Sequence, residues 1–148
     1  MTLKKLFFII VALVICTGAA RADKHCSDSS RLPHASRKYI KKHFPKAKIA
    51  VIEFDKGILH SSDYEVRFTD GIEIDFNHDG SLKKIKVRRG AVPASAIPSR
   101  INKYVKKHYA KRPIIEIDRK HYGFEVELTG DIELRFDHEG NFLRAKFD

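Results

Sequence analysis

Tyr64-Glu65-Val66-Arg67-Phe68-Thr69-Asp70-Gly71-Ile72-Glu73-Ile74-Asp75-Phe76-Asn77-His78-Asp79-Gly80 decides the fold, because the chain says it twice. Sixty positions later it returns as Phe124-Glu125-Val126-Glu127-Leu128-Thr129-Gly130-Asp131-Ile132-Glu133-Leu134-Arg135-Phe136-Asp137-His138-Glu139-Gly140. Within each copy apolar and charged residues alternate, the period of a strand with one dry and one wet face. Thr69-Asp70-Gly71 and Thr129-Gly130-Asp131 read as tight hairpin connections. Asn77-His78-Asp79-Gly80 and Asp137-His138-Glu139-Gly140 read as turns with a glycine available for positive φ.

The duplication extends outward. Leu32-Pro33-His34-Ala35-Ser36-Arg37-Lys38-Tyr39-Ile40-Lys41-Lys42-His43-Phe44 is echoed by Ile97-Pro98-Ser99-Arg100-Ile101-Asn102-Lys103-Tyr104-Val105-Lys106-Lys107-His108-Tyr109. A proline suits a first helical turn. Ala35, Tyr39, Ile40 and Phe44 follow at helical spacing, as do Ile101, Tyr104, Val105 and Tyr109. The polar face of both helices is strongly basic. Further strands are read around Ala50, Ile52 and Phe54; Ile85 and Val87; Ile115 and Ile117; and Leu143, Ala145 and Phe147. Copy two is shorter only in its first hairpin, residues 119–123 against 56–63, and loops absorb such changes. Residues 90–96, rich in Pro and Ala, join the copies.

The expected architecture is therefore α+β. Two tandem helix-plus-four-strand repeats form one antiparallel sheet of about eight strands, with both helices on its dry face. Residues 32–148 make one domain, copy one 32–90 and copy two 91–148, after a flexible tail at 23–31. Each copy alone is near the lower size limit for an independent core, so burial is shared.

The first residues give a compartment. Lys4 and Lys5 precede an unbroken apolar run at 6–15, and Ala20-Arg21-Ala22 supplies small residues for cleavage before Asp23. These are the parts of a secretory signal peptide, residues 1–22, and they place the chain in the periplasm or outside the cell. A retained anchor is the rival, but the run is short for a span of about 20 residues. A lipid anchor at Cys16 would follow the bulky Ile15, which disfavours it. Cleavage of 22 residues leaves 126, with no transmembrane span and 26 basic against 19 acidic residues, a net +7. One cysteine, Cys26, remains and reads as a free thiol, with intermolecular pairing open in an oxidising compartment.

Proline, an amphipathic helix ending Tyr-Ile/Val-Lys-Lys-His-aromatic, and strands closing on Gly71-Ile72-Glu73-Ile74-Asp75-Phe76-Asn77-His78-Asp79-Gly80 together resemble the PepSY-like family of secreted bacterial proteins. In copy two Asp131 stands where the first glycine of that signature would be, with Gly130 one place earlier, which leaves the turn type open. The family is also similar to the β-lactamase inhibitor protein, whose two helix-plus-four-strand units form one eight-stranded sheet. The resemblance implies a periplasmic or secreted binding or inhibitory role. No inhibitory residue carries over, because no stretch here matches a contact loop.

Signs of catalysis or metal binding are weak. Asp75-Phe76-Asn77-His78-Asp79-Gly80 fits the opening of a calcium loop, but Lys86 stands where a bidentate Glu is needed, and strands replace the flanking helices. The eight histidines lack zinc-ligand spacing. His43 and His108 sit at matched helix ends, where a partly charged imidazole suits the dipole. No Ser/His/Asp, Cys/His or phosphate-loop pattern occurs, and the chain reads as a non-enzyme needing neither cofactor nor metal.

Two binding roles remain. In the first, an unidentified protein partner docks on the wet sheet face of a monomer: Glu65, Arg67, Glu73, Asp75, Lys84, Lys86, Arg88, Glu125, Glu127, Glu133, Arg135, Arg144 and Lys146. Matched positions there carry reversed charges: Arg67 against Glu127, Asp75 against Arg135, Arg88 against Asp148. Solubility alone tolerates such drift, and an asymmetric partner requires it. In the second role the basic helices bind polyanions or envelope surfaces. Nucleic acid is a poor fit for a secreted chain, since the helix aromatics fall on the apolar stripe.

Overall fold

A computed structural model describes residues 27–54 and 64–147. The expected signal peptide and cleavage site, Cys26, the first hairpin loop and Asp148 lie outside the described residues. The chain runs α1 (His34–His43), β1 (Ile49–Phe54), β2 (Tyr64–Phe68), β3 (Ile72–Phe76), β4 (Leu82–Val87), α2 (Ser99–His108), β5 (Ile114–Lys120), β6 (Gly123–Leu128), β7 (Ile132–Phe136) and β8 (Phe142–Phe147). The strands form one antiparallel sheet in sequence order, so the expected architecture is the one observed.

Register explains why one face is dry. Ile52, Val66, Ile74, Ile85, Ile117, Val126, Leu134 and Ala145 are direct cross-strand partners in a row spanning all eight strands. The first seven are buried, and Ala145 packs against the same cluster. The helices cover this face. Tyr39 of α1 meets Phe76 edge-on at 6.0 Å and Phe44 stacks near Phe68 at 6.2 Å. Tyr104 of α2 meets Phe136 edge-on at 5.5 Å. Ile85 against Ile117 carries the core across the joint between the repeats. The linker joins in, with Val92 buried and its N–H donating to Ile114 O at 2.8 Å. No described helix is long and apolar enough to cross a membrane.

Strict alternation mispredicts four positions. Ala50 and Ile115 are extra residues in β1 and β5, at matching bulges where Ile49 and Ile114 pair with Phe68 and Leu128. Ile114 is thus buried while Ile115 is only half-buried, and Ala50 is exposed. Lys83 and Leu143 are extra residues in β4 and β8, where Phe76 and Phe136 pair with Leu82 and Phe142. Leu143 is therefore 53% exposed rather than core. A bulge shifts the phase of a strand by one, which a period of two cannot show.

On α1, Ser36 is fully buried while Ala35 is exposed. The Ser36 hydroxyl donates to Gly80 O at 3.2 Å, so the helix seats directly on the turn. A Cβ on Gly80, at φ +83°, would lie 2.7 Å from Pro33 Cβ. The glycine that closes the signature is thus required both by handedness and by close approach. Gly140 repeats the arrangement at φ +81°, with Arg100 Cβ 3.1 Å away. The open question at Asp131 resolves as a turn with two consecutive left-handed residues, Gly130 at φ +85° and Asp131 at φ +56°.

Candidate functional site: the uncovered sheet face

Register places the wet-face residues in two further rows. One runs Glu53, Glu65, Asp75, Lys84, Asp118, Glu125, Arg135, Arg144. The other runs Val51, Arg67, Glu73, Lys86, Glu116, Glu127, Glu133, Lys146. Twelve of the thirteen residues expected on this face lie in these rows. Arg88 follows β4, its side chain 71% exposed and its Nη2 3.9 Å from Glu73. Glu53, Glu116 and Asp118 belong to the face and were missed. In β5 the run Ile114-Ile115-Glu116-Ile117-Asp118 hides the phase of alternation behind its bulge.

The rows hold nine carboxylates and six cations in a chain with an excess of basic residues. The helices hold the opposite balance, because neither α1 nor α2 contains an acidic residue. The molecule is electrically two-sided: basic over the helices, and with more carboxylates than cations over the uncovered sheet face.

The halves of the face are wired differently. In the first, Arg67 gathers three carboxylates: Glu53 at 3.0 Å, Glu65 at 2.6 Å and Glu73 at 3.8 Å. Asp75 lies beside this cluster, pushed up to about 6 by burial first and then by Glu65 and Glu73. At the joint, Lys84 and Lys86 both reach Glu116, at 2.6 and 2.9 Å. Lys86 and Lys84 are register neighbours of Glu73 and Asp75, but their close ion pairs go across to β5. The two lysines hold Glu116 below its usual range against the opposing effect of burial.

In the second half the arginine sits one strand over. Arg135 reaches Glu125 at 3.1 Å and Glu133 at 2.8 Å, and lies over the Tyr122 ring at 5.4 Å. Tyr122 donates its hydroxyl to Glu125 at 2.6 Å. Its phenol is raised to about 12, by desolvation first and then by Glu125. Lys120 donates to Asp118 at 2.6 Å. Glu127 occupies the position of Arg67, directly between Glu116 and Glu133. Among the described residues no cation lies within ion-pair distance of it. Around it is a depression of about 260 Å³ lined by Glu116, Asp118, Glu125, Glu127, Asp131, Ile132 and Glu133.

The calcium-like stretch is divided between two surroundings. Asp75 lies on the sheet face, while Asp79 accepts from Ser81 N–H at 2.8 Å inside the turn. His43, at the end of α1, differs from expectation: desolvation, with Lys42 beside it, pushes it down and favours the neutral ring. That ring lies 3.1 Å from Ser95 Oγ through Nδ1.

Known proteins agree with this architecture. The family described as "Putative beta-lactamase-inhibitor-like, PepSY-like" matches residues 22–61 and 62–144. A periplasmic protein of unknown function from Bacteroides vulgatus is 35% identical, with TM-score 0.75 over 82% of this chain and 97% of that one. A "putative calcium-regulated periplasmic protein" from Bacteroides thetaiotaomicron is 30% identical, with TM-score 0.77 over 84% of this chain and 97% of that one. A second Bacteroides vulgatus periplasmic protein, of the DUF2874 family, is 30% identical, with TM-score 0.75 over 86% and 98%. No curated protein matches. None of these descriptions names a catalytic activity, and their periplasmic setting agrees with the periplasmic or secreted location read from the leader. The family match spans both repeats and the fold is shared with these periplasmic proteins, and the chain belongs to the PepSY-like family of β-lactamase-inhibitor-like proteins.

Proposed function

We propose that this chain is a non-catalytic protein-binding module of the periplasm or cell exterior, an inhibitor of an envelope or extracellular enzyme, that docks its partner on the uncovered sheet face. The observation that carries the reading is the row Glu116, Glu127, Glu133. Like charges directly opposite one another on neighbouring strands destabilise a sheet. Glu116 and Glu133 have cations of their own, and Glu127 has none among the described residues. A carboxylate held there at a cost to the fold is explained by a cation supplied from outside, and a protein surface presenting Lys or Arg supplies it. The family's inhibitor-like description supports the same reading.

The test is affinity capture from a periplasmic extract at about 0.15 M salt, where exposed charges beyond roughly 8 Å are screened. A variant carrying Glu125→Lys, Glu127→Lys and Glu133→Lys should lose the captured protein. A variant carrying Lys41→Glu, Lys42→Glu, Lys106→Glu and Lys107→Glu should keep it. The opposite pattern would move the site to the basic helices and make the chain a polyanion binder, whose capture falls steeply with salt.

A further inference from the structure

We propose that the outer edge of β8 accepts a β-strand from a partner protein, and that this strand carries an acidic–apolar–acidic pattern. The inference concerns the edge of the sheet and is independent of the docking face above. Its basis is that the chain contains a filled copy of the same edge. β4 and β8 occupy matching places, with Lys84, Ile85 and Lys86 answered by Arg144, Ala145 and Lys146 in the same register against β3 and β7. β4 has a further strand on its other side. β5 sets Asp118, Ile117 and Glu116 against Lys84, Ile85 and Lys86, and Glu116 takes both lysines. Among the described residues, β8 has no strand on that side.

The consequences appear in burial. Val87 of β4 is 5% exposed beside β5, whereas its counterpart Phe147 is 67% exposed. Phe142 and Leu143 are 37% and 53% exposed, and these three are the exposed large apolar side chains of the described chain. An edge whose backbone N–H and C=O groups meet no described strand is a template for strand addition, and these exposed apolar side chains flank it at both ends.

Backbone direction is set as well. Arg88 N–H donates to Gly71 O at 3.1 Å, so in β4 residues 84, 86 and 88 turn their backbone groups to β3, and 85 and 87 turn theirs to β5. The matched register makes Ala145 and Phe147 the outward-pointing residues of β8.

Two occupants from the chain itself fit poorly. An antiparallel β8 from a second copy, centred on Ala145, would set Arg144 against Lys146, and like charges directly opposite repel. β1 of a second copy corresponds to β5, but offers Val51 where β5 has Glu116, leaving Glu53 as its one carboxylate. An external strand with both carboxylates completes the pattern that β5 completes inside the molecule.

The probe is β5 itself, as a labelled peptide Ile114-Ile115-Glu116-Ile117-Asp118-Arg119-Lys120 added to the mature protein. Saturable binding is expected. It should fall on the order of tenfold when the peptide's Glu116 and Asp118 become Lys, since the ladder hydrogen bonds remain while two charge pairs invert. Ala145→Pro removes an outward N–H at a place where an edge strand tolerates proline, and should abolish binding while the thermal melt persists. If that variant fails to fold, Arg144→Glu with Lys146→Glu should reverse the preference toward the lysine peptide. Absence of saturable binding, equal binding to Ala145→Pro, or no reversal of preference would overturn the proposal. Concentration-dependent self-association lost on Glu53→Lys would also overturn it, by naming a second copy as the occupant.

Discussion

The two halves of the sheet are nearly the same object seen from the helix side and different objects seen from the solvent side. On the covered face Val66, Ile74 and Phe76 correspond to Val126, Leu134 and Phe136, all essentially buried. On the open face Arg67 corresponds to Glu127 and Asp75 to Arg135. Packing holds the first set to shape and volume, because interiors are close-packed and a change of one methylene is felt. No such constraint acts on the second set. In the first half an arginine sits at the middle of the acidic cluster; in the second it sits to one side and leaves Glu127 without a described cation. The arginine's change of place is thus what sets the two charge networks apart, and the proposed docking rests on the carboxylate it leaves at Glu127.

The largest expected effect tests whether the halves share one core. Phe76→Ala and Phe136→Ala should each cost about 3–5 kcal/mol in denaturant melts, the range for truncating a buried Phe. Because Ile85 and Ile117 join the halves, each variant should still unfold in one transition. Two separate transitions, with only one moved by Phe76→Ala, would break the comparison at its base.

Next come the turn glycines. Gly80→Ala and Gly140→Ala should each cost about 1–3 kcal/mol, the range for a non-glycine residue held in a disfavoured backbone region. Gly80 should be the worse, since its Cβ would meet Pro33 at 2.7 Å while that of Gly140 meets Arg100 at 3.1 Å. Equal costs would mean that handedness alone matters.

Asp75 sharpens the comparison on the open face. Its folded pKa, about 6, lies above the ordinary aspartate value of 3.8, so the folded state binds the extra proton between these values. Its contribution to stability is therefore present below about pH 4 and lost as pH rises through 6. Discounted for the solvent that reaches it, Asp75→Asn should stabilise the protein by about 1 kcal/mol at pH 7, with the gain vanishing near pH 4. Melts at the two pH values check this, and a gain that persists at pH 4 would assign it to something other than ionisation.

How much was legible beforehand follows the same division. The strands and the placement of twelve face residues were readable from alternation, because a half-buried strand must write its two environments into its sequence, and both helices were readable from their helical spacing. Ala50, Ile115, Lys83 and Leu143 were not, since each bulge breaks the period without a residue type that marks it. Ser36 was not, because its burial depends on a hydrogen bond to Gly80 across 44 positions. The list of face residues was largely visible, yet its wiring was not. That Lys84 and Lys86 turn to Glu116, and that Glu127 stands without a described cation, depends on β4 meeting β5 in one particular register.

The most direct test puts the first half's arginine into the second half. Glu127→Arg would set a cation between Glu116 and Glu133, as Arg67 stands among its carboxylates. The measurement is retention of the captured periplasmic partner by this variant at about 0.15 M salt, with a denaturant melt on the same sample. The account predicts a protein more stable by about 0.5–1 kcal/mol that no longer holds its partner. A variant that keeps the partner as wild type does, or that loses stability, would contradict the claim that this half of the sheet is held open for binding.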